Sequence, residues 1–301
     1  RKFTEFSCAA ILILASPSLA EAESLRDSLR NAYKNSGILV QNRALLRAAD
    51  EKVADAVAAL RPVISWSSKF EHKYNDAANS DILLTSLKAD WLLYDFGSSE
   101  LQKEALTETV LATRQSLLAI EQSVLLRAAT AHMNYILSVE FVSLRSANVE
   151  LIEQELRAAQ DRFDVGEVTR TDVALAEARL ASARASLASA QGDLAKAAAE
   201  YHAVAGRKPG ELLTPSNLPE LPKDVSVAIS TARSNHPELV GVQHEVAAAE
   251  LKLKASQLSY RPRLSAGAGL SNVDLDGDVT RSLSLTVSGP IYSGGAIASA
   301  S

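Results

Sequence analysis

The sequence predicts a mainly α chain with β: long helical hairpins combined with β-strands. Three observations predict it. Residues 101–206 carry an apolar seven-residue repeat that no proline interrupts. Two segments, each following an Arg-Pro pair at Arg61-Pro62 and Arg261-Pro262, switch to a two-residue period. Finally, residues 235–265 repeat residues 35–65 at a spacing of 200 throughout.

The first twenty residues read as a secretory signal peptide. Arg1-Lys2 supplies the positive start, the run from Cys8 to Leu14 is apolar, and Pro17-Ser18-Leu19-Ala20 ends in small residues. Cleavage after Ala20 removes Cys8, the only cysteine, so neither disulfides nor thiolate chemistry is expected in the mature chain. Beyond the signal no apolar run approaches the ~20 residues of a transmembrane helix. The net charge of −5 gives no basic patch for nucleic acid.

Residues 24–60 are helical in pattern, broken near Ser36-Gly37 and stopped by Arg61-Pro62. A strand follows. Ile64, Trp66, Phe70 and Tyr74 fall on one face; Ser65, Ser67, Lys69, Glu71 and Lys73 fall on the other. Residues 75–81 read as a loop. A second strand places Leu83, Leu87, Ala89, Trp91 and Leu93 opposite Ser86, Lys88 and Asp90, and Phe96-Gly97 ends it.

Two long helices come next. In the first, Tyr135, Val142, Val149, Leu156 and Phe163 recur every seven residues, with Ile152 and Ala159 on the second seam position. If helical over 101–163, this arm is roughly 90–95 Å long at 1.5 Å per residue. A tight turn at residues 163–172 reverses the chain. Val173, Ala176, Leu180, Ala183, Leu187, Ala190, Leu194, Ala197, Tyr201 and Val204 then recur at steps of three and four, a heptad seam with large and small residues alternating. The strict seven-residue repeat before the turn favours left-handed supercoiling. Gly166 is expected to close the first helix in a left-handed conformation, and Thr169 or Thr171 to cap the second. Thr169 with Asp172 has the form of a capping-box variant.

After Gly206 a connector holds Pro209, Pro215, Pro219 and Pro222, and helices resume at Val225. Strands follow the second Arg-Pro as they follow the first: Val279, Leu283, Leu285 and Val287 alternate with Thr280, Ser282, Ser284, Thr286 and Ser288. Tyr292-Ser293-Gly294-Gly295 then stands where Tyr94-Asp95-Phe96-Gly97 stood. By the logic of duplication a second long helix pair is expected to follow, making the chain a C-terminally truncated piece. The organisation is therefore signal peptide 1–20, first repeat 21–206, connector 207–224 and the start of a second repeat, 225–301.

Four strands cannot close a barrel, and their free edges are intolerable in lipid. Closure requires several copies, which implies a homo-oligomer. The strands are long enough to cross a bilayer when tilted. Ile64, Trp66, Phe70 and Trp91 form the candidate lipid face, with Trp66, Tyr74 and Trp91 as interfacial aromatics.

Other motifs carry less. The five histidines show no metal-ligand spacing, so no metal or cofactor is expected. Asp276-Gly277 between alternating strands is first a hairpin turn signal, with a cation loop as the alternative reading. Gly267-Ala268-Gly269 lacks the third glycine of a dinucleotide loop. No nucleophile–base constellation occurs, so no enzyme is expected. Glu177, Arg179, Arg184, Asp193, Lys196 and Glu200 read as a solvated face or a lumen wall.

Together these features resemble the TolC family of outer-membrane efflux and secretion ducts. The run from Phe163 through Gly166, Thr169, Thr171 and Asp172 to Leu180 is similar to the first hairpin tip of the branch serving type I secretion. Arg47, Asp50-Glu51 and Arg61-Pro62 point the same way. Asn235-His236-Pro237-Glu238-Leu239 is similar to the family's repeat-opening motif, whose proline Asn35-Ser36 lacks. The resemblance implies a homotrimer with a twelve-stranded transmembrane β-barrel and a hollow α-helical tunnel, or α-barrel, across the periplasm. It implies that Gly166, Thr171 and Asp172 sit at the narrowed periplasmic tip, with Asp172 bonded to a cationic or tyrosyl partner on the second hairpin. The implied partners are a periplasmic adaptor, with Gly166-Glu167-Val168 as its docking point, an inner-membrane transporter and outer-membrane lipid. The function expected is a passive gated exit duct for type I secretion or multidrug efflux. A soluble periplasmic coiled-coil adaptor or structural protein is the alternative.

Overall fold

The computed structural model describes residues 22–74, 80–216, 220–273 and 278–291. The signal-peptide stretch, Asn75 to Asn79 of the loop, Pro219, residues 274–277 and Tyr292-Ser293-Gly294-Gly295 lie outside them. The element order is α1 (Leu25–Asn35), α2 (Gly37–Ala58), β1 (Val63–Lys73), β2 (Ser80–Tyr94), α3 (Ser98–Asp164), α4 (Arg170–Ala205), α5 (Val225–Asn235), α6 (Pro237–Leu258), β3 (Arg263–Val273) and β4 (Thr280–Ser288). The duplication is visible in the bounds: α5, α6 and β3 are α1, α2 and β1 displaced by 200 residues.

The helix break that Pro237 makes in the second copy occurs without proline in the first. Ser36 has φ −71° and ψ 107°, and His236 has φ −70° and ψ 120°. Proline forces its predecessor into this extended region. At Ser36, followed by Gly37, the same geometry forms without that constraint.

The chain divides into two compact units, Arg1–Ser36 with Val124–Pro219 and Gly37–Ser123 with Glu220–Ser301. In the first, α4 packs along α3 through the seam read from the sequence. Val149, Leu180 and Ala183 are buried together, with Ile152, Leu156 and Leu187 against them. Farther along, Ala131, Tyr201 and Ala205 form a second cluster with Val204 and Leu212. Alanine alternating with leucine lets the two backbones approach closely. Gly206 ends α4 at φ +76°, its N–H donating to the His202 carbonyl, and the Asn35 side chain donates to the Ala205 carbonyl at 2.8 Å. That pair satisfies carbonyls orphaned at the helix end.

In the second unit, α6 runs antiparallel to the start of α3. Ser98 donates to the Ala255 carbonyl, His244 meets Glu108 at 2.7 Å, and Gly241 lies against Gln115 and Ala112. The four strands form one antiparallel sheet in the order β1-β2-β3-β4. Register puts the apolar positions on a common face: Trp66 opposite Leu87, Phe70 opposite Leu83, Leu87 opposite Leu270, Trp91 opposite Ala266 and Ala266 opposite Leu285. The other face carries the serines, strand glycines and charged residues, with Ser67 opposite Ser86, Ser86 opposite Ser271 and Gly267 opposite Ser284, and Ile82, Leu84 and Leu92 of β2 stand among them.

Three sequence expectations shift. The loop read as 75–81 is shorter, because β2 already begins at Ser80, and Asp81 bonds His72 across the hairpin. Val279 precedes β4 rather than starting it. A register shift between Leu92 and Tyr94 makes Leu93 the extra residue. Tyr94 thereby pairs with Leu264 and joins the apolar face, as expected of a bulge that re-aims a side chain at a sheet end.

Candidate functional surfaces

The hairpin tip is built by two caps. The Gly166 N–H donates to the Phe163 carbonyl and the Glu167 N–H to the Arg162 carbonyl, both at 2.9 Å, with Gly166 at φ +81°. This is a Schellman closure, and glycine is the residue that accepts its left-handed position without strain. Three residues on from Gly166, Thr169 rather than Thr171 is the N-cap of α4. Its backbone N–H and hydroxyl both donate to Asp172 Oδ2, at 2.8 and 2.7 Å. Thr171 is the second residue of α4 and is exposed, as are Gly166 and Asp172. The three predicted tip residues thus sit within one short reversal.

The Thr169 hydroxyl, then the Thr169 N–H, hold the Asp172 carboxyl below its ordinary 3.8. A depressed folded-state value means that the cap contributes stability above the ordinary carboxylate range and loses it as pH falls through the folded value. Amide exchange in the first turn of α4 should therefore accelerate below about pH 4. Asp172→Asn should remove that acid-dependent step while α3 protection is unchanged.

The sheet contributes the second surface. Ile64, Trp66 and Phe70 share a face with Trp91, and Trp66 is 76% exposed. Leu283, Leu285 and Val287 continue this face on β4 and are also exposed. The Trp91 indole donates to the Leu60 carbonyl at 3.1 Å, tying an amphipathic ring to the sheet end beside Arg61-Pro62. At the matching corner of the second repeat, the Arg261 guanidinium lies 5.1 Å from the Phe96 ring centroid. Asp95 caps the start of α3 there. Burial pushes its carboxyl up, but bonds from the Ser99 hydroxyl, the Ser99 N–H and the Gly97 N–H outweigh this and leave it lowered.

A third feature escaped the sequence reading. Glu23 pairs with the post-hairpin chain as a two-residue parallel bridge, its N–H donating to Glu211 and its carbonyl accepting from Leu213. The Glu23 carboxylate, almost fully buried, accepts from Arg207 Nε and from the Asn31 amide, each at 3.1 Å. Beside it the Ser28 hydroxyl meets His132 Nδ1 and the Tyr201 hydroxyl, both at 2.8 Å, and His132 Nε2 reaches the Leu213 carbonyl at 3.0 Å. Because a carbonyl only accepts, Nε2 carries the proton. His132 is thus a packed, hydrogen-bonded histidine. The network clamps α1 and the post-hairpin connector onto α3 and α4. Among the described residues no group of histidine, cysteine and carboxylates could hold a metal ion. Among them, too, no helix is long and apolar enough to cross a membrane.

Comparison with known proteins agrees with this geometry. The outer membrane efflux protein family model matches residues 28–207. The outer membrane efflux protein BepC of Brucella suis biovar 1 is 33% identical, over 97% of this chain and 66% of its own length. The outer membrane protein TolC of Escherichia coli K12 is 26% identical, over 93% of this chain and 62% of its own. The chain therefore spans somewhat less than two thirds of these relatives. Among solved structures, the Campylobacter jejuni CmeC outer membrane channel superposes with a TM-score of 0.79 at 17% identity, covering 92% of this chain and 63% of that one. The open-state MtrE outer membrane channel of Neisseria gonorrhoeae gives 0.76 at 19%, covering 92% and 65%. The fold is that of these channels, with long helices and barrel strands in one chain. The chain belongs to the outer membrane efflux protein family and is a protein of the outer membrane.

Proposed function

We propose that the chain is a protomer of a passive exit duct, which several copies close into a β-barrel through the outer membrane and a helical tunnel below it. The observation that carries this reading is the sheet: one face is apolar and exposed, the other carries most of the serines, glycines and charged side chains, and among the described residues no further strand pairs with the outer edge of β1 or β4. In lipid, an open edge leaves backbone groups unsatisfied at several kcal/mol each, by order of magnitude, so only closure is tolerable. A soluble adaptor has no use for such a face.

The helices support the tunnel. Leu137, Leu144 and Leu151 stand two positions after Tyr135, Val142 and Val149, about 200° around α3, and all three leucines are exposed. On α4, Ala178, Ala181, Ala185, Ala188, Ala195 and Ala199 stand two positions before the buried seam and are exposed as well. A helix with seams on opposite sides belongs between two neighbours, as in a wall. Large residues on one edge of the hairpin and small ones on the other suit a neighbouring hairpin with the converse sizes.

In this reading three copies give four strands each, and a second hairpin from each protomer completes the tunnel. Gly166, Thr171 and Asp172 form part of its periplasmic constriction. Both caps of Asp172 use Oδ2, so Oδ1 is the oxygen for a cationic or tyrosyl partner across the entrance. A periplasmic adaptor meets the tip, and an inner-membrane transporter supplies the energy. Nothing is catalysed: the duct excludes, guides and gates the cargo of an efflux or type I secretion system. Reconstitution of the full-length protein in planar bilayers tests this. Stepwise conductance that rises when Asp172 is replaced by alanine is expected; a protein that remains water-soluble and never conducts overturns the proposal.

A further inference from the structure

We infer that the free edges of β1 and β4 pair between copies in one defined register, with Leu285 of one copy opposite Phe70 of the next and Thr286 opposite Lys69. This rests on the reading above that several copies close one barrel; the register itself follows from the internal duplication. Val63 pairs with Asp90 and Arg263 with Ser288, so Asp90 and Ser288 are equivalent positions, as are Leu87 and Leu285, Lys88 and Thr286, Trp91 and Gly289. Within the chain β2 pairs with β3: Leu87 faces Leu270, Lys88 faces Gly269 and Trp91 faces Ala266. The β1 equivalents of Leu270, Gly269 and Ala266 are Phe70, Lys69 and Trp66. Repeating the β2–β3 junction as a β4–β1 junction therefore sets Leu285 against Phe70, Thr286 against Lys69 and Gly289 against Trp66.

The chemistry of the new junction matches the observed one. A lysine again faces a smaller residue on the polar side, and a tryptophan again faces a small one on the apolar side, with the large and small members exchanged between strands. Gly289 is held small by its own surroundings, since an added Cβ would lie 3.0 Å from Pro262 Cα. Its missing side chain leaves room for an indole, the way an aromatic covers a strand glycine. A slip of one residue would turn Phe70 and Trp66 onto the polar face. A slip of two keeps the faces but sets Trp66 against Val287 or Ile291, two branched side chains, and abandons the small-residue match.

Disulfide trapping in the full-length protein, in outer membranes and with Cys8→Ser, tests the register. The in-register pairs are Phe70→Cys with Leu285→Cys and Lys69→Cys with Thr286→Cys. One pair falls at a hydrogen-bonded position and the other between such positions, so backbone geometry cannot block both. The two-residue slips are represented by Leu285→Cys with Ser68→Cys and by Leu285→Cys with His72→Cys. Mild oxidation should link copies at least several-fold more through an in-register pair than through either slipped pair. A membrane-embedded oligomer that links better through a slipped pair, or through neither in-register pair, overturns the register and leaves the duct standing. A protein that forms no membrane oligomer overturns both.

Discussion

Tyr201→Ala is expected to lower the unfolding free energy by about 3–5 kcal/mol, the range for deleting a large buried ring. Tyr201 is 1% exposed and sits where the α3–α4 seam meets the clamp, against Ala131 and Ala205. Truncation opens a cavity, removes the bond to Ser28 and takes a neighbour from the buried Glu23 carboxylate. Tyr201→Phe keeps the ring and loses only the hydroxyl bonds, so a smaller loss of about 1–3 kcal/mol is expected. Denaturant unfolding of the purified protein measures both. Burial, and after it the Glu23 carboxylate, push the phenol up from 10.0 to about 12. A raised folded-state value means that this contribution is intact below pH 10 and is lost as pH rises through about 12. Wild-type protein should therefore weaken across that window, and Tyr201→Phe should lack this component.

Phe70→Arg is expected to prevent assembly in the membrane. A basic side chain on the lipid face near the bilayer centre costs about 2–4 kcal/mol, and every copy in the ring bears that cost. Ser67→Arg is the control. Ser67 lies on the polar face, its hydroxyl 2.8 Å from that of Ser86, where an arginine head reaches water. The yield of folded oligomer in outer membranes should fall steeply for Phe70→Arg and stay near wild type for Ser67→Arg. Equal losses would mean that the two faces do not differ in their surroundings.

The parts of this fold that obey a period were legible in the sequence. Alternation of Ile64, Trp66 and Phe70 with serine and lysine gave the strand faces, and the seven-residue recurrence ending at Phe163 gave the hairpin seam. Gly166 marked the reversal because only a left-handed position explains a glycine there. What lacked a period was not legible. The clamp draws Glu23, Ser28, His132, Tyr201, Arg207 and Leu213 from four stretches of chain, and no spacing joins them. Tyr201, the one aromatic in an otherwise aliphatic α4 seam, was the available signal. The bulge at Leu93 interrupts the two-residue alternation at the end of β2, and nothing in that alternation marks it. The break at Ser36-Gly37, by contrast, was legible as an interruption of the helical pattern although no proline announces it.

Both tryptophans of residues 1–301, Trp66 and Trp91, lie on the proposed lipid face, so intrinsic fluorescence reports on that face alone once any tryptophan of the full-length protein outside them is replaced by phenylalanine. The full-length protein in vesicles of phospholipid brominated along its acyl chains should lose most of its tryptophan emission, while iodide in the water quenches little. Emission that iodide quenches and brominated lipid leaves untouched would mean that this face meets water, contradicting the barrel.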